Sequence, residues 1–279
     1  MSRPGVVLLT VLAMLAFAAN SVLCRLALKE TDTDAASFTA VRLVSGALAL
    51  WLIVALRKGA TTKGGDWLSA LALFAYAAPF SFAYVWLPAG AGALLLFGAV
   101  QASMIVYGLW RGERLAMVQT AGLTLALLGL VYLMLPGLSA PPLGGSLLMI
   151  TAGMAWGIYS LRGRNAASPL GATAGNFLRA APLGIVLALV LLPWAHLDPA
   201  GLGYAIASGA LASGAGYAIW YAALPGLKAA SAATVQLSVP LIVAAGGVIL
   251  LGEPITLRLA LASLAILGGI ALVILPRHG

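Results

Sequence analysis

Long apolar stretches without charge constrain this chain more than any other feature of its sequence. Five stretches contain no Asp, Glu, Lys or Arg, and they are 5–24, 67–110, 115–161, 199–227 and 229–252. Two more, 35–56 and 165–195, each contain a single Arg. A helix that crosses a hydrocarbon core about 30 Å thick needs roughly 20 apolar residues, so several of these stretches are long enough for two crossings.

The overall composition excludes a soluble protein. Charged residues make up 8% of the chain and apolar residues 62%. A soluble domain carries about 25% charged and roughly 45–50% apolar residues. So few charged side chains cannot cover the surface of a globule of 28.3 kDa in water.

Clusters of proline and glycine divide the two longest stretches, because these residues end helices and favour turns. One cluster is Leu87-Pro88-Ala89-Gly90 and the other lies at 136–142. We therefore predict an all-α integral membrane protein with ten transmembrane helices. The predicted spans are 5–28, 35–57, 67–87, 91–110, 115–135, 143–162, 170–193, 200–224, 228–250 and 255–275.

The cations between the predicted spans fall mainly on one side. With the N-terminus inside, the inner loops and ends hold ten of them: Arg3, Arg57, Lys58, Lys63, Arg111, Arg114, Arg162, Arg164, Lys228 and Arg277. The other side holds Arg25, Lys29 and Arg258, and two more cations lie within spans. Because Lys and Arg are enriched in cytoplasmic loops, this asymmetry predicts a multi-pass inner (plasma) membrane protein with both termini in the cytoplasm. The cations are scattered, so we expect no nucleic-acid partner.

The two halves of the chain resemble each other at an offset of 140 residues. Gly112-Glu113 aligns with Gly252-Glu253, and Leu135-Pro136 aligns with Leu275-Pro276. Each half holds five predicted helices, and because five is odd the second half must enter the membrane from the opposite side. The chain is therefore predicted to be two inverted five-helix repeats, 1–137 and 138–279, a plan that recurs in secondary transporters with a binding site at the repeat interface.

These residues resemble the drug/metabolite transporter superfamily in its EamA-type form. The resemblance covers the whole chain: five plus five helices, an Arg early in the second helix of each half (Arg42, Arg179), and Gly-Glu between the fourth and fifth. The stretch 87–104 is similar to the amino-acid and metabolite exporter branch, the YddG branch. The resemblance implies export of amino acids or related metabolites through a central cavity. It also implies that the first, third, fourth, sixth, eighth and ninth helices line that cavity.

All seven acidic residues, Glu30, Asp32, Asp34, Asp66, Glu113, Asp198 and Glu253, lie at span ends or in loops. Proton relays in membrane transporters typically use buried acids or His, so proton antiport driven by a carboxylate is disfavoured. We expect facilitated export down the substrate gradient, or coupling by a route that the sequence does not show. Glu113 and Glu253 are expected to cap the helices that they open, or else to pair with a neighbouring Arg as a gate. Arg42 and Arg179 are expected to face a substrate carboxylate or backbone carbonyls, or to extend toward the membrane interface. No metal or cofactor is expected.

Amides and deep aromatic residues are the candidate substrate-binding groups. Buried amides need hydrogen-bond partners, and they either hold helices together or line a cavity. Trp156 and Tyr159 are three residues apart and therefore share one helix face, and the same holds for Tyr217 and Trp220. Packing remains the alternative for each aromatic. The full predicted set is Asn20, Tyr76, Phe80, Gln101, Trp156, Tyr159, Tyr217, Trp220, Gln236 and Ser238.

These residues predict a secondary transporter that exports neutral, mainly aromatic, amino acids and related small metabolites by alternating access. The alternatives are a polytopic membrane enzyme and an exporter of drugs or other metabolites. An enzyme would need a nucleophile with a base or a metal cluster, and the predicted spans contain neither. The expected partners are the small-molecule substrate and the lipid bilayer, with no obligate protein partner.

Overall fold

The structure is a computed structural model that describes residues 3–57, 64–112, 114–137, 140–163, 166–227, 232 and 235–274. Ten helices follow one another along the chain: α1 (Arg3–Glu30), α2 (Ala35–Leu56), α3 (Trp67–Tyr84), α4 (Ala89–Trp110), α5 (Met117–Met134), α6 (Leu143–Gly163), α7 (Pro169–Val190), α8 (Pro199–Gly226), α9 (Ser238–Leu251) and α10 (Leu257–Ile274). Within the described residues, nine are long and apolar enough to cross a membrane, and α9 is shorter. The prediction of an all-α, ten-helix chain is confirmed.

Aspartates fix the beginnings of three helices. Asp34, Asp66 and Asp198 accept hydrogen bonds from backbone N–H groups in the first turns of α2, α3 and α8. Burial opposes ionisation of Asp66, but the Ser69 hydroxyl and N–H and the Arg162 guanidinium outweigh it, so its pKa falls to about 2. The Gly201 N–H is the main reason that the pKa of Asp198 is lowered. These acids lie at helix ends, as the sequence predicts, and Glu113 lies outside the described residues.

Helix packing follows the two-fold relation between the halves. When each helix of the first five is matched with the one five places later, α2 and α7 are counterparts and pack together, and so are α5 and α10. The contact of α3 with α6 has its counterpart in the contact of α8 with α1, and that of α4 with α6 in that of α9 with α1. α1 and α6 therefore lie at the centre of the interface between the two repeats.

α8 is not a regular α-helix. Its central segment, Ala207–Ala215, is π-helical, between α-helical segments Pro199–Ile206 and Gly216–Ala223. π-helical turns are rare and occur mostly at functional sites. Here the segment packs against α2 so closely that a Cβ on Gly209 would overlap the Arg42 carbonyl oxygen and the Ser45 hydroxyl. Only glycine permits this approach, which places α8 beside the polar residues of α1.

The outer surface of the bundle is apolar. Large exposed side chains such as Leu56, Ile249 and Leu264 are more than two-thirds accessible, as residues in contact with lipid would be. The tryptophans expected near span ends, Trp51, Trp67, Trp110 and Trp194, are all at least half exposed. The surface therefore suits a bilayer with an aromatic belt at its interfaces.

Candidate functional site

A cavity lies at the interface between the repeats, at the level of the middle of α3 and α6. It has about 50 Å³ of space for the centres of water molecules, which is room for only a few waters. Its lining comes from α1, α3, α4, α6 and α8 and from one residue just before α9, which are the helices that the resemblance implies. The lining residues are Phe17, Asn20, Ser21, Tyr76, Leu96, Phe97, Val100, Trp156, Ala212, Ser213, Tyr217 and Gln236.

A chain of four hydrogen-bonded polar side chains runs along one wall. The Ser208 hydroxyl, in the π-helical segment, donates to Asn20 Oδ1 at 2.7 Å. The amide nitrogen of Asn20 donates to the Tyr76 hydroxyl oxygen at 3.0 Å, and Arg42 Nη2 donates to the same oxygen at 3.0 Å. The network joins α8, α1, α3 and α2, so each polar group that it presents to the cavity is held in one orientation.

Aromatic rings continue the lining from Tyr76. The Trp156 ring lies 4.8 Å from the Tyr76 ring and 5.7 Å from the Tyr217 ring between centroids. Tyr159 stacks on Trp156 at 5.2 Å, one turn along α6. Phe17 on α1 completes the group at 5.6 Å from Tyr217. Aromatic rings at these distances attract one another. The space between them is mostly apolar, as is typical of small-molecule binding sites.

The structure brings together five of the ten candidate residues in the cavity lining: Asn20, Tyr76, Trp156, Tyr217 and Gln236. Phe80 and Tyr159 are buried behind it, in contact with Tyr76 and Trp156. The remaining three lie elsewhere. Trp220 packs its edge against Phe17 outside the lining, Gln101 faces crevices between α4, α5 and α10, and Ser238 donates to the Val235 carbonyl.

The sequence pattern did not indicate Arg42 and Ser208 as members of one network with the cavity amide and tyrosine. Ser208 follows no motif, because serine is common on packed helix faces. Arg42 was predicted to meet a substrate carboxylate or backbone carbonyls or to reach the membrane interface, and its guanidinium lies over the rings of Tyr76 and Phe80, 5.1 and 4.8 Å from their centroids. Arg179, its counterpart, donates to the carbonyls of Gly64 and Gly175. The two arginines therefore have different kinds of partner.

A buried ion pair joins the two repeats near one end of the cavity. Arg25 Nε donates to Glu253 Oε1 at 2.8 Å, and both side chains are about nine-tenths buried. Arg25 Nη1 also donates to the carbonyls of Tyr84 and Val85, where α3 ends. Glu253 Oε2 accepts from the Ala89 N–H, the first of α4, at 2.6 Å. Arg25 lies one turn beyond the cavity residue Ser21 on α1, so the pair lies next to that end of the cavity.

This ion pair corrects two sequence predictions. Arg25 was counted among the loop cations, but it lies inside α1 and is 9% exposed. Glu253 does not cap the helix that follows it, because α10 begins only at Leu257; it caps α4 instead, and its pairing with an Arg is the alternative that the sequence left open. Gly252, at φ +62°, makes the turn that directs Glu253 inward.

Nothing in the described residues groups three or more His, Cys, Asp or Glu side chains as a metal ion would require. Cys24, the single cysteine of the sequence, is buried. The chemistry available at the cavity is therefore hydrogen bonding by amides and hydroxyls, contact with aromatic faces, and the charge of Arg42.

Comparison with known proteins gives consistent results. A model of the EamA-like transporter family matches residues 4–135 and 143–275, one match for each half. A Pseudomonas aeruginosa protein, "Uncharacterized protein PA1977", is 60% identical over 273 residues, which cover 98% of this chain and 95% of that protein. A crystal structure aligns over 97% of this chain and 96% of its own, with a TM-score of 0.68 and 21% identity, which shows a shared fold.

Proposed function

The chain belongs to the EamA-like transporter family, and from that premise we propose that it is a secondary transporter that exports neutral, mainly aromatic, amino acids and related small metabolites from the cytoplasm. The observation that supports the proposal is the cavity between the repeats, which has aromatic walls and a few polar groups, two of which, Asn20 and Tyr76, are held in a hydrogen-bonded network. A solute with an apolar body and one polar end matches such a lining. An inverted repeat with a site at its interface is the usual architecture for alternating access.

The small size of the cavity indicates that the helices around it move apart when a solute binds. Room for a few water molecules is too little for an aromatic amino acid, so the helices must separate for one to bind. The end beside Arg25 and Glu253 is held by an ion pair between the repeats. We interpret this state as one in which that end is closed.

We place the protein in the inner membrane with both termini in the cytoplasm, on the ground of its cation distribution. The burial of Arg25 strengthens the asymmetry, because it leaves only Lys29 and Arg258 on the side that was given three cations. In this orientation the Arg25–Glu253 pair faces the periplasm. A reporter fused to the C-terminus should then read as cytoplasmic, and a periplasmic reading would contradict the orientation.

Export is proposed to be facilitated, down the gradient of the solute. The described acids lie at helix ends, and the one nearest the cavity, Glu253, is already paired with Arg25. No carboxylate of the described residues lies in the cavity lining to carry a proton. Accumulation against a solute gradient, driven by a pH gradient across liposomes, would contradict this mechanism.

The test is flux in proteoliposomes with labelled phenylalanine, tryptophan and leucine. We expect uptake that saturates and that unlabelled aromatic amino acids inhibit. Trp156→Ala should raise KM because it removes a cavity wall, whereas Trp51→Ala, on the exposed face of α2, should not. Absence of flux for every amino acid and related metabolite in a correctly inserted protein would overturn the proposal.

The two alternatives make different predictions in the same assay. A drug exporter would move amphipathic cations, and an enzyme would convert a solute without moving it. The guanidinium of Arg42 behind the Tyr76 ring disfavours a cationic substrate, since like charges repel in a medium of low dielectric constant. Amino acids and their relatives therefore remain the best match.

A further inference from the structure

Arg42 is a charged side chain in the membrane interior that lacks a carboxylate partner among the described residues. It is 2% exposed. Its Nη2 donates to Tyr76, while its Nε and Nη1 have no acceptor in the part of the chain that the structure describes. The rings of Tyr76 and Phe80 stabilise the charge from their faces, but rings do not neutralise it. A charge in this setting usually marks a functional site.

The Tyr76 hydroxyl connects this charge to the cavity. Its oxygen accepts two hydrogen bonds, one from Arg42 and one from Asn20. A phenolic oxygen has one proton to donate, and among the described residues no acceptor receives it. Tyr76 lines the cavity and is 6% exposed. Its O–H is therefore a buried donor without a partner, and it is polarised by the guanidinium that binds its oxygen.

Among the described residues, no acidic side chain pairs with the positive charge of Arg42. Glu253, the buried acid on this side, is bound by Arg25 and by the Ala89 N–H. Among the described residues the cavity lining contains no Asp or Glu. The other polar groups of the lining are the Asn20 amide, whose oxygen is occupied by Ser208, the Gln236 amide, whose nitrogen donates to the Ala232 carbonyl, and the hydroxyls of Ser21 and Ser213. The cavity therefore offers hydrogen-bond donors backed by a positive charge, and no anion for an ammonium group.

We propose that the Tyr76 hydroxyl, held and polarised by Arg42, binds the carboxylate of the transported solute, and that this carboxylate rather than an α-amino group is what the site recognises. The inference rests on the proposed function and deepens it, because it names the substrate class as carboxylic acids with an apolar or aromatic body. Tyr76 contacts the solute; Arg42 acts through Tyr76 as a positioning residue. Aromatic acids without an amino group are therefore substrates as good as aromatic amino acids.

A competition panel on labelled phenylalanine flux tests the substrate class. Four solutes share the benzyl body: phenylalanine, 3-phenylpropionate, phenylalaninamide and phenethylamine. We expect 3-phenylpropionate to inhibit with a constant within about threefold of that of phenylalanine, and the amide and the amine to be at least about tenfold weaker, the cost of one hydrogen bond to a charged group. Equal inhibition by amine and acid would overturn the inference and leave the transporter proposal intact.

Ligand-induced thermal stabilisation of the purified protein separates the two proposals. Stabilisation by the acids but not by the amine, without any flux, would support the carboxylate site and overturn the transporter function. Flux of phenylalanine without preference for acids would support the transporter function and overturn the carboxylate site. Neither flux nor stabilisation by any of the four solutes would overturn both.

Variants assign the preference to its residues. Tyr76→Phe keeps the ring and removes the donor, so the ratio of inhibition constants for amide and acid should fall about tenfold, with kcat changed less than KM. Arg42→Gln keeps an N–H for Tyr76 but removes the charge, and it should lower the same ratio. Tyr84→Phe is the matched control, because Tyr84 is on the same helix and buried, with its hydroxyl bound to the Ala89 carbonyl.

The ratio distinguishes a role in recognition from a role in folding. A merely structural change would weaken acid and amide alike and leave the ratio in place. If Arg42→Gln does not yield folded protein by size-exclusion chromatography, Tyr76→Phe still decides, since it removes one atom. An unchanged ratio in folded Tyr76→Phe would overturn the assignment.

Discussion

The buried Arg25–Glu253 pair gives the sharpest prediction about stability. It joins the first repeat to the second and also caps both neighbouring helix ends, through the carbonyls at the end of α3 and the N–H of Ala89. The perturbation is Glu253→Gln, which keeps the shape and one acceptor oxygen and removes the charge. The structure offers a matched comparison in Asp66–Arg162, which also joins the two repeats but is exposed.

The magnitude follows from burial. Removing one partner of a buried ion pair costs about 3–5 kcal/mol, because the other charge stays buried. Glu253→Gln should cost less, about 2–3 kcal/mol, since its amide oxygen still accepts one hydrogen bond and charge-assisted bonds are about twice as strong as neutral ones. Arg25 also keeps its two backbone carbonyls. Asp66→Asn should cost less than about 1 kcal/mol, because exposed pairs contribute little and Asn caps a helix as well as Asp does.

The assay is thermal unfolding of both variants beside the parent in one detergent. We expect a clearly lower transition temperature for Glu253→Gln and a small change for Asp66→Asn. Raising the salt concentration should weaken only the exposed pair, since buried charges are screened little. A double variant, Arg25→Gln with Glu253→Gln, should recover part of the loss, because it leaves no buried charge without a partner.

Equal destabilisation by the two single variants would refute the reasoning, and so would full stability of Glu253→Gln. Access to the cavity provides a second measure, given the proposed transport cycle. A thiol placed at Ser213, in the lining, should react faster with a polar reagent in Glu253→Gln than in Asp66→Asn. Reaction of the native Cys24 is a small background because that residue is buried. Identical rates would show that the pair does not hold this end closed.

Three further predictions concern single sites. Asp66 has a pKa of about 2 in the fold, whereas unfolded Asp titrates near about 3.9. Its contribution to stability is therefore present at pH values well above about 4 and is lost as the pH falls toward 2. Asp66→Asn should flatten that part of a pH series of thermal melts. Gly209→Ala should lower stability by about 1–3 kcal/mol through overpacking against α2, whereas Gly203→Ala, with open space around its Cβ, should be neutral or stabilising in the same melts. Ser208→Ala releases Asn20 Oδ1 and should raise the KM for transport about fivefold, the worth of about 1 kcal/mol, with the folded fraction as the control.

The sequence predicted the helices well because charge and proline mark span ends directly. The break at Pro88 separates α3, which ends at Tyr84, from α4, which begins at Ala89. Span nine was predicted over 228–250, whereas the structure describes α9 as Ser238–Leu251, and residues 228–231, 233 and 234 lie outside the described residues. The π-helical segment of α8 has no local signal, since its composition of Ala, Gly and Ser suits any close helix contact.

The site was harder to predict because a single residue's depth in a span does not fix the direction in which its helix face points. Gln101 has the depth of Asn20 but lies on the face of α4 that meets α5 and α10. Trp220 is one turn from Tyr217 and yet lies outside the lining, where its ring packs against Phe17. On α1, α3 and α6 the chemical type of the residue led to Asn20, Tyr76 and Trp156, which do line the cavity, because these helices turn their polar and aromatic faces toward the interface between the repeats.

Three arginines, Arg25, Arg42 and Arg179, lie within helices and away from their ends, and each has different partners. Arg25 meets a carboxylate, and Arg179 meets backbone carbonyls at the edge of the bundle. Arg42 alone of these three has neither among the described residues, and it contacts the Tyr76 hydroxyl and two aromatic faces. Only the third arrangement leaves a net charge next to the cavity, so it is the one that can distinguish solutes by their charge. The same arrangement explains why a cavity with so few polar groups would favour an acid over an amine.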